Sequence, residues 1–476
     1  MRSMLLSWLK KNSWDDDIHI VKLQSENGLL RIPMNRESRD DIPPSGYLWS
    51  HSMTDYIEQG MIDNTARDTN RLLNRFLRRD EMSSIAVRTM TDLVERDGTA
   101  YAKAQETWAD KVLVASGWDP ETVKPLEKAA MDPSIAHPLT RMIGSDGKEL
   151  TDDERKANIK AQVDSYNEKR DAAKIPEDSD KPFQIENGAA SAVDVSLDGV
   201  GARRQKDERS KGSDEKSYHS EKKDEPVDYS RAPDSKKRPA VETAVAHIDV
   251  DGEKYVFAAK NMFIVCKLVI AFLLTNSLLQ NRQLVFLTDG DRDIKACIQN
   301  LFDFCPHIVV LDWFHLRKHC NEGLSMMLCG GKANRARQYE IRRTLYHILW
   351  AGDVPGAIAY LRSIESKMIK SEQKREELIA YLERKDSDGS IACYAIRRRF
   401  HLRTSSNPVE KANDLIVAAR QKGKGMSWSR EGSWALANVT AMYLNNEQTN
   451  WRTEKRIGFK TYREYGKVFA MPKKAA

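Results

Sequence analysis

The sequence predicts an α/β fold carrying a long helical insertion, preceded by a small helical N-terminal domain, and three observations lead there. Two β-like runs, Ala244–Ile248 and Tyr255–Ala258, flank Asp251-Gly252 in the manner of a hairpin. Two short uninterrupted apolar runs follow, Leu284–Leu287 and Ile308–Leu311, as expected of strands buried on both faces. Helical periodicity separates those runs and then takes over between residues 316 and 400. Strands that alternate with helices make a sheet with helices packed against it.

Taken in order, residues 1–145 show helical periodicity from Ser52 onward, in pieces separated by Asp97-Gly98 and by Trp118-Asp119-Pro120. They are expected to form a helical domain. Within it Ser83 and Ser84 can cap a helix holding Ile85, Val87 and Met90. That is compatible with a DNA-binding helix-turn-helix and, on spacing alone, fits an ordinary helical hairpin better. Residues 146–188 are charged and polar, with an exposed helix through Asp152–Ala173, and read as a linker. A strand-like stretch, Ala189–Val200, precedes residues 203–238, whose Lys, Asp, Glu and Ser content predicts a disordered loop. Helices are expected near Phe263–Leu279 and Asp293–Phe302, with a last one from Asn407 and a basic tail over 452–476.

At 476 residues the chain is long enough for two or three domains. Its longest apolar stretch, Met262–Leu274, is interrupted by Lys267, so no membrane span is predicted and a cytoplasmic, nucleoid-associated location is expected. The six cysteines (Cys266, Cys297, Cys305, Cys320, Cys329 and Cys393) include no C-x-x-C pair and read as reduced, buried thiols. A net charge of +6 is too mild to identify a polyanionic partner by itself, but basic residues gather toward the C-terminus.

Three acids fall at the edges of these elements: Asp198 after the run Val193–Leu197, Asp289 after the strand Leu284–Thr288, and Glu410 in the first turn of the helix opened by Ser406-Asn407-Pro408. Hard divalent cations prefer oxygen ligands, and two metals about 3.5–4 Å apart can hold the attacking and leaving oxygens of a phosphoryl displacement. Taken singly, each acid has a plainer reading: Asp198-Gly199 and Asp289-Gly290 are ordinary turn dipeptides, and Asn407-x-x-Glu410 fits a capping box. Asp249, Asp251, Asp291 and Asp293 are further acidic candidates. Asp312-Trp313-Phe314-His315 directly follows a buried strand, with Asp312 either beside the site or simply a helix cap.

Four of these motifs, in order, resemble the Mutator-type superfamily of DDE transposases, which includes enzymes of bacterial insertion sequences. They are Val195-Ser196-Leu197-Asp198-Gly199, Phe286-Leu287-Thr288-Asp289-Gly290, Asp312-Trp313-Phe314-His315 and Ser405-Ser406-Asn407-Pro408-Val409-Glu410. The spacing agrees, with 91 residues from 198 to 289 and 121 from 289 to 410, leaving room for a helical insertion over 316–400. The resemblance implies an RNase H-like mixed sheet over 189–451. It implies Asp198, Asp289 and Glu410 as catalytic ligands of two Mg²⁺ ions, with Mn²⁺ substituting. Asp249 stays the rival for the first position. Asp312 and His315 would then flank the site as supporting or DNA-positioning groups. The partners would be double-stranded transposon ends and target DNA, acted on by a homo-oligomer.

The segment Arg420–Ser429 also looks like the tail that follows the Glu helix in that family. There Arg420, Lys422 and Lys424 are expected to hold phosphates, while Trp428 either stacks on a base or anchors the core. Two other functions share the same acids: an RNase H-like nuclease, and a domesticated transposase that binds DNA without cutting it.

Overall fold

The computed structural model describes residues 18–25, 28–35, 47–76, 85–126, 192–205, 240–250, 252–279, 283–305, 307–387, 389–399, 402–423 and 425–459. Strands β1 (Ile18–Ser25), β2 (Gly28–Asn35) and β3 (Tyr47–Trp49) precede helices α1 (His51–Asp63), α2 (Ala66–Phe76) and α3 (Val87–Ala115). A short ribbon follows, β4 (Trp118–Asp119) with β5 (Lys124–Pro125). Then come β6 (Ala192–Arg203), β7 (Ala240–Val250), β8 (Glu253–Ala259), α4 (Met262–Thr275), β9 (Gln283–Thr288), α5 (Arg292–Leu301) and β10 (His307–Leu311). The rest is helical: α6 (Trp313–Met327), α7 (Arg335–Trp350), α8 (Val354–Ser363), α9 (Glu372–Ser387), α10 (Tyr394–Arg399), α11 (Asn407–Asn413), a π-helical turn (Asp414–Ala418), α12 (Ala419–Gln421), α13 (Arg430–Leu444) and α14 (Gln448–Glu454). Among the described residues no helix is long and apolar enough to cross a membrane.

The chain forms two compact units, each drawn from separated stretches, rather than dividing near residue 145. One takes Met1–Ala104, Gly201–Val241 and Leu415–Arg456, the other Gln105–Val200, Glu242–Asp414 and Ile457–Ala476.

The second unit is built on a mixed five-stranded sheet in the order β10-β9-β6-β7-β8. Strands β6, β9 and β10 run parallel, and β7 pairs antiparallel with β8 across the Asp251-Gly252 turn, as the sequence predicts. Asp251 itself lies outside the described residues. Val285, Phe286 and Leu287 of β9 have no exposed surface, which is why this strand reads as an unbroken apolar run. α4 is apolar on nearly every side because it is buried on nearly every side, and its one cation, Lys267, ion-pairs with Asp110. Helices α6 to α9 supply the helical insertion. Leu316, Leu324, Leu345, Leu361, Leu378 and Leu382 join Val285 and Leu287 in one core cluster. Full burial of each such leucine contributes roughly 1.5–3 kcal/mol. One element differs from expectation: β6 does not turn at Asp198-Gly199 but continues to Arg203. What stops there is the pairing, since β9 ends at Thr288.

The first unit is not wholly helical. β1 and β2 pair antiparallel from Ile18↔Asn35 to Ser25↔Gly28, and β3 joins parallel to β1. Asn27-Gly28 in the sequence is the hairpin signal that the helical reading passes over. α1 and α2 are joined by two residues, with Ser50 capping α1 at Met53 N–H. The expected Ser83 and Ser84 caps, the 146–188 linker and most of the 203–238 loop lie outside the described residues. The tail is corrected in part. Arg452 is buried on α14, where it meets Asp55 at 2.6 Å, Glu58 and the Tyr443 hydroxyl, and residues from 460 onward lie outside the described residues. Asp55, Glu58 and Asp97 crowd this single guanidinium. Burial pushes the Glu58 carboxyl up to about 8, with the charge of Asp97 adding to it.

α3 runs straight through Asp97-Gly98, where the sequence suggested a break. The glycine is there for space rather than for a turn: a Cβ at Gly98 would lie 2.2 Å from the Ala435 carbonyl oxygen on α13. Helix propensity favours Ala over Gly by about 1 kcal/mol, whereas forcing a methyl into a filled contact costs about 1–3 kcal/mol. Packing against rigid backbone wins, so Gly98→Ala is expected to lower the midpoint of thermal unfolding. A raised midpoint would show that this crossing has slack.

Candidate active site

Three parallel strands bring acids to one edge of the sheet. Ser196 is the last residue of β6 in register with β9, and Leu311 pairs with Thr288, so Asp289 and Asp312 follow directly on β9 and β10 while Asp198 sits within β6, two residues beyond its last pair with β9. In open α/β sheets functional groups gather where parallel strands finish. Glu410 arrives from α11. It is half-exposed and its Oε1 lies 3.9 Å from His315 Nδ1.

Asp312 is fully buried and caps α6, with Oδ1 accepting from His315 N–H at 2.8 Å and facing His315 Nδ1 at 3.1 Å. Its Oδ2 accepts from Ser406 N–H at 2.5 Å and from Ser406 Oγ at 3.2 Å. Burial alone would raise this carboxyl. The hydrogen bonds from His315, Ser406 and Ser405 outweigh it and bring Asp312 down to about 2. The same bond from Asp312 is the main cause that raises His315 above its ordinary value, helped by the charges of Asp289 and Glu410. The carboxylates of Asp312, Asp289 and Glu410 thus all favour the protonated form of His315.

Burial lifts Asp198 above the usual carboxylate range. The charges of Asp289 and Glu410 push the same way, against hydrogen bonds from Gly199 N–H at 2.7 Å and Asn413 Nδ2 at 2.6 Å. The sequence reading missed Asn413, although it lies three residues after Glu410 on one helix and so shares its face. It also missed Lys385, whose ammonium donates to the Gly290 carbonyl at 2.9 Å, for which nothing in the sequence is a signal. Gly290 has φ +88°, a conformation that favours glycine, and a Cβ there would meet Lys385 Nζ at 2.8 Å. A cavity of about 520 Å³ opens beside Asp289 and His315, and Arg292, Lys295, Arg384 and Lys385 are among its lining residues.

Asp249, the rival first acid, is bound elsewhere. Arg403 ion-pairs with it and lies 3.4 Å from Asp194, so Asp249 is neutralised away from the acids that Asp198 senses. Glu410 is not in a capping box either: Ser406, the residue before α11, makes no side-chain cap and spends its groups on Asp312. The donor chemistry of Asp198, Asp289 and Glu410, with the partnerless buried Asn413 Oδ1 beside them, suits a hard cation. Even so, no three His, Cys, Asp or Glu side chains among the described residues close on a single point that could hold an ion. Local bonds account for this, since Asp198 is held by Gly199 and Asn413 and Asp289 Oδ1 accepts from Asp291 N–H at 2.9 Å.

The expected phosphate loop needs correction. Arg420 is buried: its Nε donates to the Met61 carbonyl at 2.8 Å and its guanidinium lies 5.1 Å from the Trp428 ring. Trp428 in turn donates to the Gln421 carbonyl at 3.0 Å and bridges to Arg204, so it is an anchor rather than a base platform. Lys422 is exposed, and Lys424 lies outside the described residues. All six cysteines are free, with Cys266, Cys305 and Cys320 buried and the others half-buried.

Comparison of the chain with protein-family models, with curated proteins and with solved structures finds no match in any of the three.

Two outcomes follow from this geometry. Because Asp312 lies below its ordinary 3.8, the stability its contacts contribute is complete above that value and is lost as pH falls through about 2. The shift corresponds to about 2 kcal/mol. In acid titrations followed by circular dichroism, Asp312→Asn is expected to remove that slope; an identical slope in both proteins would assign acid sensitivity to other groups. Arg420→Ala should lose stability by about 1.5–3 kcal/mol, the range for hydrogen bonds to a charged group, and leave the salt dependence of DNA binding unchanged. A flattened salt slope at full stability would return Arg420 to the DNA path.

Proposed function

We propose that this chain is a metal-dependent phosphoryl-transfer enzyme acting on DNA, a transposase of the DDE type on an RNase H-like sheet. The observation that carries the reading is that Asp198 feels the charges of Asp289 and Glu410, the same two acids that act on His315. Asp198 lies on β6, Asp289 follows β9 and Glu410 sits on a helix, in the order the resemblance implies. The mixed sheet, with a hairpin, then two further parallel strands, then a helical insertion before Glu410, supports the RNase H-like assignment.

Asp198, Asp289 and Glu410 would hold Mg²⁺ or Mn²⁺, which supplies charge stabilisation for the reacting phosphate and activates a hydroxyl nucleophile. The chain's own groups do the rest. Asp312 fixes the ring of His315 through Nδ1, leaving Nε2 to hold a phosphate oxygen or a proton near Asp289. Asn413 orients Asp198, and Lys385 holds the turn that carries Asp289. The basic lining of the adjoining cavity would carry the phosphates that flank the reacting one.

The test is cleavage and strand transfer on DNA carrying the sequences that border the gene, with Mg²⁺ or Mn²⁺ present. Asp289→Ala and Glu410→Ala are each expected to lower cleavage by about a hundredfold or more while DNA binding persists. Cleavage of unrelated DNA or RNA without strand transfer would identify a nuclease instead. Full activity in Glu410→Ala would return Glu410 to a structural part.

A further inference from the structure

α6 and α7 present matching faces to the groove between them. Phe314, Arg317, Lys318 and Asn321 line it from α6, and Tyr339, Arg342, Arg343 and Tyr346 from α7, each set spaced i, i+3, i+4, i+7, with His347 beside Tyr346. That spacing puts each set on one side of its helix. On a packing face such positions would be apolar; here each set holds one exposed ring and two adjacent cations.

Phe314 is 51% and Tyr339 68% exposed, a costly place for large rings unless something covers them. Among the described residues no carboxylate lines the groove. Arg317, Lys318 and Arg343 are exposed, and the hydrogen bonds made by Arg342 go to the neutral Asn321, Gln338 and Ser325. The nearest acid in sequence to Tyr339, Glu340, is taken by Arg337 at 2.7 Å. Four like charges with no internal counter-charge call for an anion from outside, and the rings among them call for flat aromatic partners.

We infer that this groove binds an unpaired DNA strand, with phosphates on Arg317, Lys318 and Arg343 and bases stacked on Phe314 and Tyr339. A cavity of about 550 Å³ is of small-ligand size and accepts a nucleotide or two rather than the width of a duplex. Base faces are open to stacking only where the strand is unpaired. Lys318 also lines the cavity beside Asp289 and His315, so the two cavities adjoin at this residue, and a strand separated at the acids would reach the groove over Lys318. The choice of DNA over RNA rests on the function proposed above; the groove itself does not.

The experiment measures binding of labelled oligothymidine, a DNA duplex and oligouridine to the full chain in EDTA, by fluorescence anisotropy across a salt series. Tyr339→Ala is expected to weaken oligothymidine binding by about tenfold, the loss of one base stack, with duplex affinity unchanged. The double variant Arg317→Ala/Arg343→Ala should flatten the oligothymidine salt slope by about 0.7 for each lost phosphate contact. All three side chains are exposed, so melting temperatures serve as the folding control. No oligothymidine binding by the unaltered chain, unchanged affinity in Tyr339→Ala, equal losses on duplex and single strand, or tighter binding of oligouridine would each overturn the inference. The assay needs no cleavage, so a groove that binds in a chain that does not cut DNA would retire the catalytic reading and leave this one standing.

Discussion

The carboxylate of Asp312 is the contact on which the site depends. A buried charge in a low-dielectric interior must be matched by donors, and Asp312 finds two from His315 at the start of α6 and two from Ser406 at the start of α11, with the Ser405 hydroxyl beside them. Its own N–H donates to the Thr288 carbonyl at 2.7 Å, which joins it to the end of β9 as well. One side chain thereby sets the distance between a strand end that carries Asp289, an imidazole, and the helix that carries Glu410. Both helices also point their positive ends toward it, which favours the ionised form.

The electrostatics of the site follow from that arrangement. Burial is the main cause that raises Asp198, and the charges of Asp289 and Glu410 add to it. The same carboxylates, with the Asp312 hydrogen bond first among the causes, raise His315 above its ordinary value. The remaining carboxylate oxygens are spent on nearby N–H groups, so the acids share a field without sharing a ligand. Beyond them the lining turns basic, which places cations next to the acids rather than on top of them. A phosphate chain could bridge the two regions.

In the other unit, cations that look like surface charge in the sequence are structural. Arg452 is surrounded by Asp55, Glu58, Asp97 and Tyr443, and Arg420 is enclosed by Met61, Met426 and Trp428. A guanidinium on a long apolar stem can satisfy several acceptors deep in a protein, so a count of basic residues does not locate a basic surface.

Local pattern alone was enough for the sheet of the larger unit: β7, β8, β9 and β10 announce themselves through alternation, a two-residue turn and short apolar runs, because each signal reports on neighbours in the chain. Asp198, Asp289, Glu410, Asp312 and His315 stand out from the other acids and histidines only through the order of motifs that carries the resemblance, since each alone reads as an ordinary turn, cap or helical residue. What the sequence could not decide depends on groups far apart in the chain. Asp249 is claimed by Arg403, whereas Asp198 is held by Gly199 and Asn413. Gly98 sits inside a helix because Ala435 crosses there. Lys385 holds Gly290 across 95 positions. Arg420 is buried because the Met61 carbonyl and the Trp428 ring enclose it. Burial and charge pairing are properties of the space around a residue, and only the folded chain supplies that space.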